Sequence, residues 1–271
     1  MKKFFAAACR LAIAGAFAAL LPGAAQAEAA QAAPRITLGS VPAFFSGTYG
    51  TSKTINIFYV PTYIEYRKDR LRLKLTMSYE AVTDLPQGAS LSGAAVSSRG
   101  GQTATRSASG LGDTWLEGRY TVLKGHDLLP SLTPYAKIKF ATASHAAGLG
   151  SGRNDYEIGL GLDDRAGDYA FPFAHVGYRF VGKPAGLALR NIATYDVGVS
   201  YVLPHARSNI VTAMFSGSQS EEKGYAGPAD AIVAWNYNVT TAGSGIQLYV
   251  DKGLTNGSAN YGVGLGGQIV F

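Results

Sequence analysis

The sequence is nearly free of cysteine. Its one thiol, Cys9, lies within the first ten residues, so residues 28–271 offer no disulfide and no thiolate metal site. Cys9 stands too near the start, with too short an apolar run before it, to mark a lipoprotein cleavage site. Long apolar runs are missing as well. No stretch after residue 27 approaches the roughly 20 residues that a membrane-spanning helix needs. Charge is sparse, at 15% of residues, and no Lys/Arg block of the nucleic-acid-binding type occurs. The formal charge of +6 includes Lys2, Lys3 and Arg10, and +6 less these three leaves +3 for residues 28–271. Nucleic acid is therefore excluded as a partner class. There is also no Gly-x-Ser-x-Gly elbow. Of the four histidines, His126 and His205 fall in turns and His145 in a loop. Only His175 falls on a strand, with no metal-ligating partner two or four residues away. Nucleophilic catalysis needs a base beside the nucleophile, and metal sites need clustered ligands. The reading is therefore no enzyme, no cofactor and no metal.

What is present is an export signature followed by alternation. Lys2 and Lys3 precede an apolar run from Phe4 to Leu21 that only Arg10 interrupts, and Ala25-Gln26-Ala27 supplies a small-residue cleavage site. We expect residues 1–27 to be a Sec signal peptide and 28–40 a short periplasmic segment. Beyond them Gly (34), Tyr (16) and Phe (12) are abundant, and period-2 segments recur between turn residues. Twelve strands are expected near 41–49, 54–66, 70–82, 112–123, 132–142, 154–163, 169–181, 190–203, 208–218, 229–239, 244–251 and 260–271. In Arg70–Glu80, for instance, Leu71, Leu73, Leu75, Met77 and Tyr79 form one face. Arg72, Lys74, Thr76 and Ser78 form the other. The final segment sets Tyr261, Val263, Leu265, Ile269 and Phe271 against Gly262, Gly264, Gly266 and Gln268. Pro42 and Pro61 weaken the first two strands, because proline cannot donate to a ladder.

A greasy face opposite a small or polar one, repeated in strands of roughly 9–11 residues, fits an all-β transmembrane antiparallel β-barrel of about twelve strands. Apolar outward and polar inward residues cancel, which leaves mean hydropathy near zero. The competing fold is a secreted β-sandwich, which carries the same alternation. Against it stand the long strands and the aromatics near strand ends: Tyr66, Tyr79, Trp115, Tyr120, Tyr156, Tyr178, Tyr201 and Tyr261 would form girdles at the two interfaces. If the chain starts in the periplasm, the short turns at 68–69, 164–168 and 240–243 fall there and both termini are periplasmic. The longest connection, 84–111, falls outside the cell. Its small, polar composition reads as a flexible surface loop; a loop folded into the mouth to narrow the pore is the alternative.

Several segments resemble an outer-membrane transporter family named for the meta-pathway of phenol degradation. They are Ser109-Gly-Leu-Gly-Asp113 running into Gly118-Arg-Tyr120, Gly148-Leu-Gly-Ser-Gly152 before Asp155-Tyr156, Val176-Gly-Tyr-Arg179 with Gly182-Lys-Pro184, and Lys252-Gly-Leu-Thr-Asn-Gly-Ser258. The resemblance spans much of residues 49–271. It implies an outer-membrane barrel that passes small, often aromatic or apolar, molecules, and it defines no catalytic residues. Where relatives often carry proline, this chain reads Met77-Ser78-Tyr79.

Projecting the alternation inward lines the lumen with Arg72, Lys74, Glu117, Arg119, Lys137, Lys139, Glu157, His175, Arg179 and Asp196. Two readings stay open: a charged constriction that selects solutes, or a salt-bridge network that fills the barrel. The expected function is passive passage of small molecules through a bacterial outer-membrane channel, with outer-membrane lipid and small solutes as its partners. The alternative is a structural or surface-interaction barrel with an occluded lumen. Oligomeric state is not legible.

Overall fold

The structure, a computed structural model, describes residues 33–97, 104–126, 129–185 and 188–271. The expected signal peptide lies outside the described residues. Strand β1 (Arg35–Ser40) and β2 (Ala43–Gly47) lie end to end, followed by β3 (Ile55–Lys68) and β4 (Leu71–Pro86). A small hairpin, β5 (Ser90–Ser92) and β6 (Ala95–Ser97), precedes β7 (Thr105–Leu111) and β8 (Thr114–Tyr120), which again lie end to end. The remaining strands are β9 (Ser131–Phe140), β10 (Asp155–Asp163), β11 (Ala170–Phe180), β12 (Ile192–Val202), β13 (Asn209–Ser218), β14 (Ala229–Asn238), β15 (Gly245–Gly253) and β16 (Tyr261–Val270).

Each strand from β8 to β16 pairs with the next, β1 and β2 both pair with β3 and with β16, and β7 and β8 both pair with β4. Counting the two broken staves once each gives twelve antiparallel staves around a closed ring. Closure leaves no unpaired edge, the condition for a sheet in lipid. It is sealed by the Thr37–Val270 to Ser40–Gly267 register and by Tyr261–Ser46 to Gly264–Ala43.

The breaks have a local cause. Pro42 cannot donate, and the first stave is interrupted at Val41-Pro42, directly beside Pro61 of β3, whose carbonyl accepts from the Val41 N–H at 3.4 Å and the Ser40 hydroxyl at 2.9 Å. On the other flank the Pro42 carbonyl accepts from the Leu265 N–H. A Cβ at Gly266 would strike the Ser40 and Val41 backbone, so only glycine lets β16 pass the break. Pro61 is tolerated inside a long strand because the stave beside it is already broken there. Residues 35–40, expected in the segment before the barrel, are part of its wall, because the break at Val41-Pro42 disguised one stave as two short pieces.

Alternation holds around the wall. In β10, Tyr156, Ile158, Leu160 and Leu162 are exposed, whereas Asp155, Glu157, Gly161 and Asp163 are buried. Charges facing inward and aliphatics facing outward invert a soluble sandwich and suit a lipid solvent. Tyr120, Tyr201 and Tyr237 ring one end of the outer surface; Tyr156, Tyr178, Tyr195 and Tyr261 ring the other. Trp115, expected in a girdle, is only 6% exposed. It shares the parity of Glu117 and Arg119 and therefore points inward. The described connections are short at one end, as at Asp69-Arg70, and long at the other. Both sheet termini meet at the short-turn end, where Ile36 and Phe271 exchange backbone hydrogen bonds.

The segment 84–111 departs most from expectation. Its described residues are a continuation of β4, the β5–β6 hairpin, and β7 returning along β4. The hairpin turns on Gly93, whose φ of 62° suits a two-residue connection, and sets Leu91 opposite Val96. Both side chains are buried in one apolar cluster that also holds Phe45, Ile55, Tyr59, Leu85 and Tyr249. The Leu91 N–H donates to Gly148 O at 2.8 Å, and Arg106 clamps Ala146 O and Ala89 O. Burial of two aliphatics, hidden in an otherwise small and polar stretch, folds the segment into the mouth.

A charge on the outer belt discriminates this arrangement from a sandwich. Leu160→Arg, near the middle of β10, should reduce the free energy of folding into a bilayer by about 2–4 kcal/mol. The inward-facing Ser200→Ala should cost far less, as read by urea titration of the protein in vesicles.

Candidate functional site

Of the ten residues projected inward, Arg119, Lys137, Lys139, Glu157, His175, Arg179 and Asp196 are buried, and Arg72, Lys74 and Glu117 are partly buried. The register also orders them in a way the sequence reading did not foresee. Glu65 stands opposite Lys74, Lys74 opposite Glu117, Glu117 opposite Lys137, Lys137 opposite Glu157, and Glu157 opposite Arg179. Six neighbouring staves thus carry one charge each at one level, with strictly alternating sign. Directly opposed cross-strand side chains are close enough to interact, and opposite charges there are favourable.

Side-chain contacts follow the row. Lys137 Nζ lies 3.0 Å from Glu157 and 3.8 Å from Glu117. Arg179 donates twice to Glu157 Oε2, at 2.9 and 2.7 Å. Glu157 is the hub: its other oxygen also accepts from the Tyr135 hydroxyl at 3.2 Å, and it is 1% exposed. At the ends of the row, Glu65 pairs with Arg67 at 2.9 Å and Arg72 at 3.5 Å, and Arg179 reaches Glu221 at 3.9 Å.

Two levels flank this row. Toward the short turns, Arg72 and Arg119 are directly opposite each other, and each turns to a carboxylate of the row: Arg119 to Glu117, and Arg72 to Glu65. The aromatic rings complete the cation shell, with Lys74 4.3 Å from the Tyr63 ring and Arg119 and Lys137 each 4.8 Å from Tyr135. Tyr135 fits there because Gly159 beside it has no Cβ; one would overlap the phenol ring. Toward the long loops, Lys139 binds Asp155 at 2.7 Å and Asp113 at 3.4 Å.

His175 has its own environment. Its Nδ1 contacts Asp196 on β12, directly opposite in register, and its Nε2 lies 3.5 Å from Asp163. Arg179 and Asp196 lie on neighbouring strands but do not pair, because Arg179 stands opposite Ile192 and turns back to Glu157. Glu65, Asp113, Asp155 and Asp163 were missing from the expected set. Glu65 was hidden because Pro61 blurred the parity of β3, and Asp113 because it sits at the Gly112-Asp113 break. Asp155 and Asp163 end a strand whose parity was read, so they were recoverable.

Above the charged level, between the inward hairpin and β13–β15 with their long-loop connections, lies a solvent-open cavity with Phe45, Tyr49, Val96, Asp230, Asp251 and Ala259 in its lining. Tyr49, in the turn after β2, adopts φ 49°, an uncommon conformation for a bulky residue. Its ring is buried under the mouth. Burial first, and the nearby Asp230 and Asp251 carboxylates second, raise its pKa above the usual phenol range, which keeps it protonated.

Comparison with known proteins follows this geometry. Neither a protein-family model nor a curated protein sequence matches the chain. Among solved structures, the COG4313 outer membrane channel from Pseudomonas putida F1 is similar at 15% identity and TM-score 0.64, covering 90% of this chain and 97% of that one. The P. putida toluene transporter TodX is similar at 11% identity and TM-score 0.43, covering 89% of each chain. The fold is that of an outer-membrane β-barrel.

Neutralising the hub of the row leaves Lys137 and Arg179 without their shared counter-charge. Glu157→Gln should destabilise the folded barrel by about 3–5 kcal/mol, measured by denaturant unfolding in detergent. Adding Lys137→Met to it should recover part of that loss.

Proposed function

We propose that the protein is a passive outer-membrane channel for small molecules, aromatic or apolar ones among them. The observation that carries this reading is the inverted wall: apolar outside, and inside a row of paired charges beneath a solvent-open cavity. The sign alternation presents no net field of one sign, so the lumen would discriminate by local pairing and by size rather than by excluding one ion class. The cavity's mixture of Phe45, Val96 and carboxylates fits solutes with an apolar body and a polar group. The resemblance to the meta-pathway transporters points to the same solute class. The β5–β6 hairpin, held inward by Leu91 and Val96, would be the narrowing element. In this reading the short-turn end, with both termini, faces the periplasm, and the long loops face outward, as barrels of this kind are built.

A specific observation favours a second reading. The central charges are almost wholly buried, with Glu157 at 1% and Arg179 at 2% exposure. A lumen filled by such a network would suit a structural or surface-interaction barrel, whose long loops do the work.

Planar-bilayer recordings on the processed protein, extracted from outer membranes, separate the two. The channel reading expects steady conductance that rises when residues 88–103 are replaced by a short Gly-Ser link. Silence from a correctly folded barrel, with and without the hairpin, supports the filled lumen. Export has its own check: mass spectrometry of the extracted protein should find an amino terminus at Glu28.

A further inference from the structure

We infer that the cavity beneath the long loops is a binding site for a primary ammonium group attached to an apolar or aromatic body. The assignment deepens the channel reading and rests on it for solute access from the mouth.

The cavity is lined by the inward hairpin on one side and by β13, β14, β15 and their long-loop connections on the other. Its charge is one-sided. Asp230 and Asp251 stand on adjacent strands, two residue pairs apart in register, and neither has an ion-pair partner among the described residues. Glu221 and Glu222 also line it. Arg179 is the one cationic side chain of the lining, and it is already engaged by Glu157. In the charged row from Glu65 to Arg179 each carboxylate is matched by a cation on the neighbouring stave; here that pattern stops.

Three oxygens in the lining have no hydrogen-bond partner: Asp251 Oδ2, Tyr49 Oη and Ser92 Oγ. Their residues are 5%, 1% and 8% exposed. A buried polar atom left unpaired is destabilising and uncommon in a native protein. Three unpaired oxygens beside a carboxylate pair without a counter-cation call for a donor-rich, positively charged group. A primary ammonium has three N–H donors and no acceptor, so it matches these three acceptor oxygens in number and supplies the missing charge. The protonated Tyr49 hydroxyl accepts through its lone pairs. Phe45, Val96 and Ala259 provide the apolar surface for the remainder of the solute. An anion would meet the carboxylates, and a neutral alcohol would leave their charge uncompensated.

The test uses the processed full-length barrel in detergent, with 2-phenylethylammonium as probe. Isothermal titration should show saturable binding, with 2-phenylethanol much weaker and 3-phenylpropionate undetected. Asp251→Asn should weaken the ammonium by roughly tenfold or more, the loss expected for a charged hydrogen bond. Ser92→Ala, which removes an acceptor from the hairpin without touching the wall, should weaken it by a smaller factor. Folding of each variant is checked by heat-modifiable gel mobility. Equal affinity for ammonium and alcohol, no saturable binding by the folded wild-type protein, or folded Asp251→Asn and Ser92→Ala variants that bind as tightly as wild type would each overturn the assignment. Titration in detergent requires no conduction. A silent barrel that binds the amine refutes the channel alone, and a conducting barrel that does not bind it refutes this site alone.

Discussion

The wall of this protein closes on itself where β16 meets the β1–β2 stave, and the remaining features are consequences of that closure. A strand edge facing hydrocarbon would leave its N–H and C=O groups unsatisfied at several kcal/mol each. Once the ring is shut, every residue has one of two solvents, lipid or lumen, and the period-2 strand geometry deals them out in turn. The outer face then carries aliphatics and aromatics. The inner face must accommodate every charge that the strands bring in.

The inner face meets that demand by register. A charge on one stave is set opposite its counterion on the next, from Glu65 through Arg179. The alternation of sign across these six staves is as regular as the alternation of polarity along each strand. A one-residue slip of any of these strands would turn its lumen charges to lipid, so the row also pins register. Glycines on the inner face give the large rings room: a Cβ at Gly262 would strike Phe45, and one at Gly264 would strike Tyr249. The glycines of the last strand, which look like a flexible stretch in the sequence, are the floor on which the aromatic side chains of the mouth lie.

Much of this was legible in the sequence. Alternation, as in Arg70–Glu80 and the last strand, carried the strand number and the two faces, because period 2 is a local property. What failed was non-local or interrupted. Pro42 and Pro61 obscured β1 and the parity of Glu65, since two prolines that weaken separate strands turn out to be neighbours at one break. The parity of Trp115 with Glu117 was present in the sequence, but position near a strand end outweighed it. The hairpin's inward fold depended on Leu91 and Val96 finding Phe45 and Tyr249, residues remote in sequence. The sign order of the row could not be read because it requires exact cross-strand register.

The absence of cysteine from residues 28–271 makes the central claim directly measurable. Single cysteines placed in turn along β12, from Ile192 to Val202, can carry a nitroxide in protein reconstituted into vesicles. Collision with oxygen, which concentrates in lipid, should peak at 195, 197, 199 and 201 and fall at 194, 196, 200 and 202. Uniform collision rates along the strand, or the opposite parity, would contradict a barrel with a lipid-facing apolar wall and a charged interior.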